Sequence, residues 1–252
     1  MSFDACEKLV KAGDYDRWLS AQSAPPEGQR ALMALYATNL MIARAPWASP
    51  EPLVAQMRLQ WWADEIGRIY HGAQVTTHEI LPALREVIFD HTLPRALFEA
   101  LIEARHADLT PAPFADRADF DRYIDGTAGS VMVLAALALG AQPAQLPTVQ
   151  NFAYGSGVAT LLRATPALIA RGYSPLPDDL PDMLTTAQSR IAKARSHRLP
   201  RALHPALLAG WRADATLAYA RANPAHIASG QLEESPARKA ATLRWHRLTG
   251  RW

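Results

Sequence analysis

Residues 151–177 read NFAYGSGVATLLRATPALIARGYSPLP, and this stretch decides the fold. Val158, Leu161 and Leu162 recur at three- and four-residue spacing and Leu168 follows seven after Leu161, which is the period of a helix and not of a strand. Gly172, Pro175 and Pro177 then stop the run. Gly155 and Gly157 lie inside the pattern, where a missing Cβ lets a neighbouring helix come close.

The same texture extends outward in both directions. Ala, Leu and Arg dominate and β-branched runs are scarce, so helix is favoured nearly everywhere. Gly13, Pro25-Pro26, Pro46 to Pro52, Gly72, Pro94, Pro111 to Pro113, Gly140 to Pro147, Gly172 to Pro181, Pro200 to Pro205 and Pro224 punctuate the chain. They bracket about ten segments of helical length. No Gly/Ser linker and no fixed-period repeat divides them, so the expectation is an all-α fold, one helical bundle, in a single domain over residues 1–252. Beyond Ser229-Gly230 and Ser235-Pro236, Leu243, Trp245 and Leu248 predict one short docked helix.

Composition excludes several classes of function. A hydrophobic content of 49% over 252 residues is ample for a core. The formal charge of +2 lacks the one-sided field of a nucleic-acid binder, so no nucleic acid is expected as partner. The single cysteine, Cys6, excludes an internal disulfide framework and fits a reducing, cytoplasmic setting. Met1 to Trp18 carries seven charged side chains and no apolar run, so no secretory signal is expected. The longest apolar stretch, Val131 to Ala141, is about half the ~20 residues a membrane-crossing helix needs.

Three blocks carry a resemblance. The first runs through Ala34-Leu35-Tyr36-Ala37, Ser49-Pro50-Glu51-Pro52 and Arg58-Leu59-Gln60-Trp61-Trp62. The second contains Tyr123, Ala128-Gly129-Ser130 and Leu139-Gly140, and the third Leu161-Leu162-Arg163, Arg171-Gly172 and Leu176-Pro177. In order and spacing they resemble the squalene/phytoene synthase family over most of Arg30 to Pro177. That resemblance implies the isoprenoid (terpenoid) synthase fold, an α-helical bundle around a central apolar cavity. In active members it implies head-to-head condensation of two prenyl diphosphates, with Mg²⁺ held between carboxylates on two facing helices.

The carboxylates are missing where the resemblance places them. The first set falls near Ala43, Arg44 and Trp47, and Ala34 to Trp47 holds no Asp or Glu. The second falls near Ala164 and Leu168, and Asn151 to Pro177 holds none either. Arg44 would repel a divalent cation placed beside it. The chain therefore reads as a non-catalytic relative, with no catalytic residue, metal ligand or cofactor assigned. The enzyme alternative is a squalene- or phytoene-forming prenyltransferase with Mg²⁺ on unusual ligands such as Asp64, Glu65, Asp121 and Asp125. Asp121 and Asp125 stand one helical turn apart, although dipole and surface roles explain them as well. No H-E-x-x-H, G-x-x-x-x-G-K, G-x-G-x-x-G or G-x-S-x-G pattern supplies other chemistry.

The residues expected on cavity-lining helices are Tyr36, Arg58, Trp61, Trp62, Tyr123, Tyr154 and Arg163, as lipid-binding or simply packed side chains. Arg58 and Arg163 need a partner, which could be Asp64, Glu65, a backbone carbonyl or a lipid phosphate. Leu162-Arg163-Ala164-Thr165-Pro166, Ala192 to Arg198 and the Trp-containing C-terminus resemble the family's degenerate members, those similar to the mitochondrial complex I assembly factor. This implies a protein client in the assembly of respiratory NADH dehydrogenase. The location would be the cytoplasm or the periphery of the inner membrane, on the matrix side in a mitochondrion. A prenyl lipid held in the cavity is the third reading. Peripheral membrane contact through Arg238, Arg244, Arg247 and Arg251 stands beside the plainer reading of a solvated basic helix.

Overall fold

The computed structural model describes residues 2–110, 112 and 114–252. Met1 and the expected break at Pro111 and Pro113 lie outside the described residues. Among the described residues there are fourteen α-helices and no β-strand. The first half runs α1 (Ser2–Gly13), α2 (Tyr15–Ala21), α3 (Pro26–Arg44), α4 (Pro52–Tyr70), α5 (Leu81–Asp90), α6 (Arg95–Ala104) and α7 (Arg117–Ile124). The second runs α8 (Ser130–Ala138), α9 (Leu146–Ile169), α10 (Leu180–Arg195), α11 (His204–Leu207), α12 (Ala213–Ala222), α13 (Ala225–Ala228) and α14 (Pro236–Thr249).

The punctuation acts as its chemistry requires. Helices α3, α4, α5, α9, α10, α11 and α14 carry proline in their first turn, where the missing N–H has no intrahelical partner to lose. Asp14 and Asp116 cap α2 and α7 by accepting the backbone N–H of Arg17 and Asp119, at 3.1 and 2.8 Å. Gly140 and Gly172 adopt φ of +88° and +79°, the left-handed geometry that closes α8 and α9. Helix number exceeds the expected ten for two reasons. The stretch between the expected breaks at Pro113 and Gly140 is split by a π turn, Asp125–Gly129, and α11 and α13 are single turns inside expected loops.

Helix α9 is the axis of the bundle, touching α7, α8, α10, α11, α12 and α13. Close approach depends on its two glycines. A Cβ on Gly155 would stand 2.4 Å from Ile191 Cγ1, and one on Gly157 would stand 2.6 Å from the Cβ of Ala128. The hydroxyls of Ser156 and Thr165 donate back to carbonyls three or four residues earlier, so the helix buries them without orphan donors. One hydrophobic core runs from Cys6 on α1 to Trp252, whose ring meets Phe152 edge-on at 5.0 Å.

The C-terminal expectation needs correction. Leu243 docks, but Trp245 and Leu248 are 58% and 85% exposed, because at helical spacing they fall on the opposite side of α14. Among the described residues no helix is long and apolar enough to cross a membrane.

Two outcomes follow from the packing. Gly155→Ala should destabilise the protein by about 1–3 kcal/mol through overpacking against Ile191, lowering Tm by roughly 2–4 °C per kcal/mol. Gly67→Ala, whose Cβ would meet nothing closer than Arg95 at 3.9 Å, should be neutral or stabilising in the same thermal melts. Cys6 is fully buried, and burial pushes its thiol up to about 12. An unfolded thiol ionises near ~8.5, so the stability from this group is complete below that pH and is lost as pH rises toward the folded value. At pH ~8 the native thiol should be silent to disulfide-exchange reagents until denaturant exposes it.

Candidate functional site

A cavity of about 250 Å³ opens beside α9, just short of the ~300–1,000 Å³ typical of ligand pockets. Ser156, Gly157, Thr160, Leu161, Ala164 and Leu168 form its α9 wall. The opposite wall brings Arg17 from α2, Asn39 from α3, Trp47 from the turn after α3, and Tyr123 and Thr127 from α7 and the π turn. Arg105 and Asp108 come from the 3₁₀ segment Arg105–Leu109 that follows α6. The expected apolar cavity is thus corrected to a mixed one: it holds two arginines, one carboxylate and several hydroxyls among its apolar side chains.

Its polar wall is paired with itself. Arg105 Nη1 lies 3.0 Å from Asp108 Oδ2 and donates to the Tyr123 hydroxyl at 3.0 Å, and that hydroxyl donates to Asp108 Oδ1 at 3.0 Å. Burial alone would lower the Arg105 pKa, but Tyr123 and Asp108 beside it hold it above its ordinary value. Burial pushes the Tyr123 phenol above its usual range, Arg105 notwithstanding. Tyr173 abuts the cluster and packs on Trp47 with ring centroids 6.1 Å apart, and Arg171 lies over the same Trp47 ring at 5.2 Å.

The positions that the resemblance assigns to Mg²⁺ ligands do converge on this cavity, as Trp47, Ala164 and Leu168. Arg44 does not join them. It is exposed on the outside of α3 and lines a separate pocket of about 260 Å³. The one carboxylate in the cavity, Asp108, is engaged by Arg105 and Tyr123. Among the described residues no three His, Cys, Asp or Glu side chains gather as a metal site. The residues present do not fit a Mg²⁺ cluster.

The unusual ligands fare similarly. Asp64 is exposed and accepts from Gln60, while buried Glu65 pairs with Arg68 at 2.9 Å and Thr77 at 2.7 Å. Asp121 accepts from Arg117 at 2.9 Å and from the Tyr154 hydroxyl at 2.5 Å. Asp125 faces Arg190 at 3.4 Å, and its carboxyl is raised first by burial, with Arg190 opposing. Two arginines occupy the space a cation would need.

Of the seven residues expected at the cavity, Tyr123 lines it. Arg58, Trp61 and Trp62 line the separate pocket with Arg44 and His78, and the two indoles meet edge-on at 4.9 Å. Arg58 is exposed and has no ion pair among the described residues. Tyr36 and Tyr154 are core side chains, 2% and 0% exposed. Arg163 turns to Thr216 at 3.4 Å and Glu233 at 3.8 Å, and burial followed by the nearby Arg212 lowers it to about 10. The sequence reading missed Arg17, Asn39, Arg105 and Asp108. The one local signal was the i, i+3 spacing of Arg105 and Asp108 at the end of α6.

An all-α bundle built this way has the isoprenoid-synthase architecture. A squalene synthase, HpnC from Alicyclobacillus acidocaldarius, superposes with a TM-score of 0.76 at 18% identity, over 88% of this chain and 93% of that one. A dehydrosqualene synthase solved with a ligand gives 0.71 at 17%, over 98% and 96%. The squalene/phytoene synthase family profile matches residues 10–247, so the chain belongs to the squalene/phytoene synthase family. Among curated proteins it is similar to a Drosophila melanogaster homolog of NADH dehydrogenase (ubiquinone) complex I assembly factor 6, at 29% identity over 76% of this chain. The Mus musculus complex I assembly factor 6 is 25% identical over 69% of it. The chain spans 59% and 53% of those two proteins' own lengths, a little over half.

The polar cluster makes a sharp prediction. Asp108→Ala leaves Arg105 without its counter-ion and should destabilise by about 3 kcal/mol, read by chemical denaturation. Arg105→Met combined with Asp108→Leu should recover most of that loss, since removing both partners leaves no orphan charge.

Proposed function

We propose that this chain is a non-catalytic member of its family that assists assembly of the respiratory NADH dehydrogenase. The observation that carries the reading is the pair of cavity walls: Trp47, Ala164 and Leu168 occupy the positions expected to hold metal ligands, and Asp108 is already neutralised by Arg105. Ionising an allylic diphosphate requires anionic groups to hold Mg²⁺ against the leaving pyrophosphate. Such a wall offers the metal an indole, a methyl group and an isobutyl group instead. The similarity to complex I assembly factor 6 supplies the role that remains once that chemistry is set aside. The client is a protein of that complex, met at the cytoplasmic face of the membrane in a bacterium or the matrix face in a mitochondrion.

Deleting the gene should deplete assembled NADH dehydrogenase and its NADH:quinone activity severalfold, with recovery on re-expression of this chain. Normal assembly and activity in the deletion strain would overturn the proposal. In parallel, purified protein given farnesyl or geranylgeranyl diphosphate and Mg²⁺ should release no head-to-head product above a protein-free control. Turnover there would restore the prenyltransferase reading.

A further inference from the structure

Helix α14 carries an apolar strip on the wrong side for packing. Ala237, Ala241, Trp245 and Leu248 share one face at helical spacing, diametrically opposite the docked Leu243. Arg238 and Arg244 flank the strip on its two sides, and residues 235–252 contain no Asp or Glu. An exposed Trp beside an 85% exposed Leu, rimmed by arginines, is the pattern of a helix lying at a membrane interface.

A second, independent feature adjoins it. A surface groove of about 370 Å³ lies where the end of α14 meets α11, lined by Arg201, Arg247, Arg251, His204 and Leu248 among others, with no carboxylate. Arg247 donates to the carbonyl of Leu19 at 2.6 Å, which fixes that guanidinium in place. Arg201 and Arg251 form no ion pair among the described residues. His204 and His246 are held below their ordinary pKa by burial, so at neutral pH the groove's charge comes from its three arginines. Three arginines lining one groove that holds no carboxylate match the charge of a phosphate. Leu248 belongs both to the groove and to the apolar strip, so the phosphate it suits is one joined to hydrocarbon.

We infer that α14 and this groove form a docking site for an anionic bilayer: a phospholipid phosphate sits among Arg201, Arg247 and Arg251, while Trp245 and Leu248 enter the headgroup boundary. Two signals act together, a cationic site and a small apolar insertion, and neither alone anchors a protein firmly. No step of this inference depends on the client protein.

Co-sedimentation of the full chain with vesicles tests it. The protein should bind phosphatidylcholine vesicles containing about a third phosphatidylglycerol, bind pure phosphatidylcholine far less, and lose affinity as salt rises. Leu248→Asp and the double variant Arg201→Glu/Arg251→Glu should each bind the anionic vesicles roughly tenfold or more weakly. Circular dichroism should show both folded, since these side chains are exposed. Arg122→Glu, a single charge reversal on α7 away from the groove, should bind like the parent. Equal binding by the parent and both α14-groove variants, or no preference for anionic vesicles, would overturn the inference. So would binding of inorganic phosphate that the arginine variant loses while the parent ignores vesicles, which would mark a site for soluble phosphate. The readout is membrane binding alone, so it is separable from the gene deletion.

Discussion

The close contact of α9 with its neighbours is the constraint on which the rest of the bundle depends. A 24-residue helix that touches six others buries most of its side chains and leaves few exposed, Thr160 and Ile169 among them. Gly155 lets Ile191 of α10 sit against its backbone, Gly157 does the same for Ala128 of the π turn, and Gly210 lets the chain pass Ser156. Each glycine weakens the isolated helix by up to ~1 kcal/mol relative to alanine, and close packing across the core offsets that loss. The hydroxyls that remain turn back on the helix itself.

Charge is managed by pairing across elements rather than by exposure. Arg212, 4% exposed, reaches Asp16 of α2 at 2.8 Å and Glu233 at 3.0 Å, which ties the N-terminal helices to the C-terminal segment. Arg117 does the same at the other side, joining Asp121, Asp179 and Tyr154. Buried ions of this sort add little net stability over apolar packing, but losing one partner strands the other. They fix which helices meet. The Arg105–Asp108–Tyr123 group in the cavity follows the same rule, so its polarity serves the wall as well as any ligand.

The helices were legible because their punctuation is chemical: proline in first turns and glycines that close α8 and α9. The role of Gly155 and Gly157 in packing was legible for the same reason. The π turn was not, because one extra residue in a turn leaves the three- and four-residue spacing almost intact and carries no composition of its own. The cavity's arginine and aspartate were hidden differently. Arg105 and Asp108 sit in a short polar segment that reads as solvated loop, and Arg17 and Asn39 reach the cavity from helices far away in sequence. Neighbouring aromatics misled as well. Trp61 and Trp62 lie on a helix that carries the family resemblance, yet they line a separate pocket shared with Arg44. Trp47, Ala164 and Leu168 line the cavity, whereas Arg44, assigned by the resemblance beside Trp47, lines the other pocket.

The persistence of the cavity calls for a physical reason if no chemistry maintains it. A dry void of about 250 Å³ would cost roughly 6 kcal/mol at ~24 cal/mol per Å³, enough to drive its collapse. This one is not dry by character. Thr160 at its exposed edge and the hydroxyls and guanidinium groups inside give water several partners, which removes most of that penalty. A cluster of facing carboxylates repels itself unless a cation is bound, whereas Ala164 and Leu168 bring no charge to this wall. An uncharged α9 wall and a persistent hollow are then compatible outcomes of one pressure, folding stability. The bundle keeps the shape of the synthases it resembles.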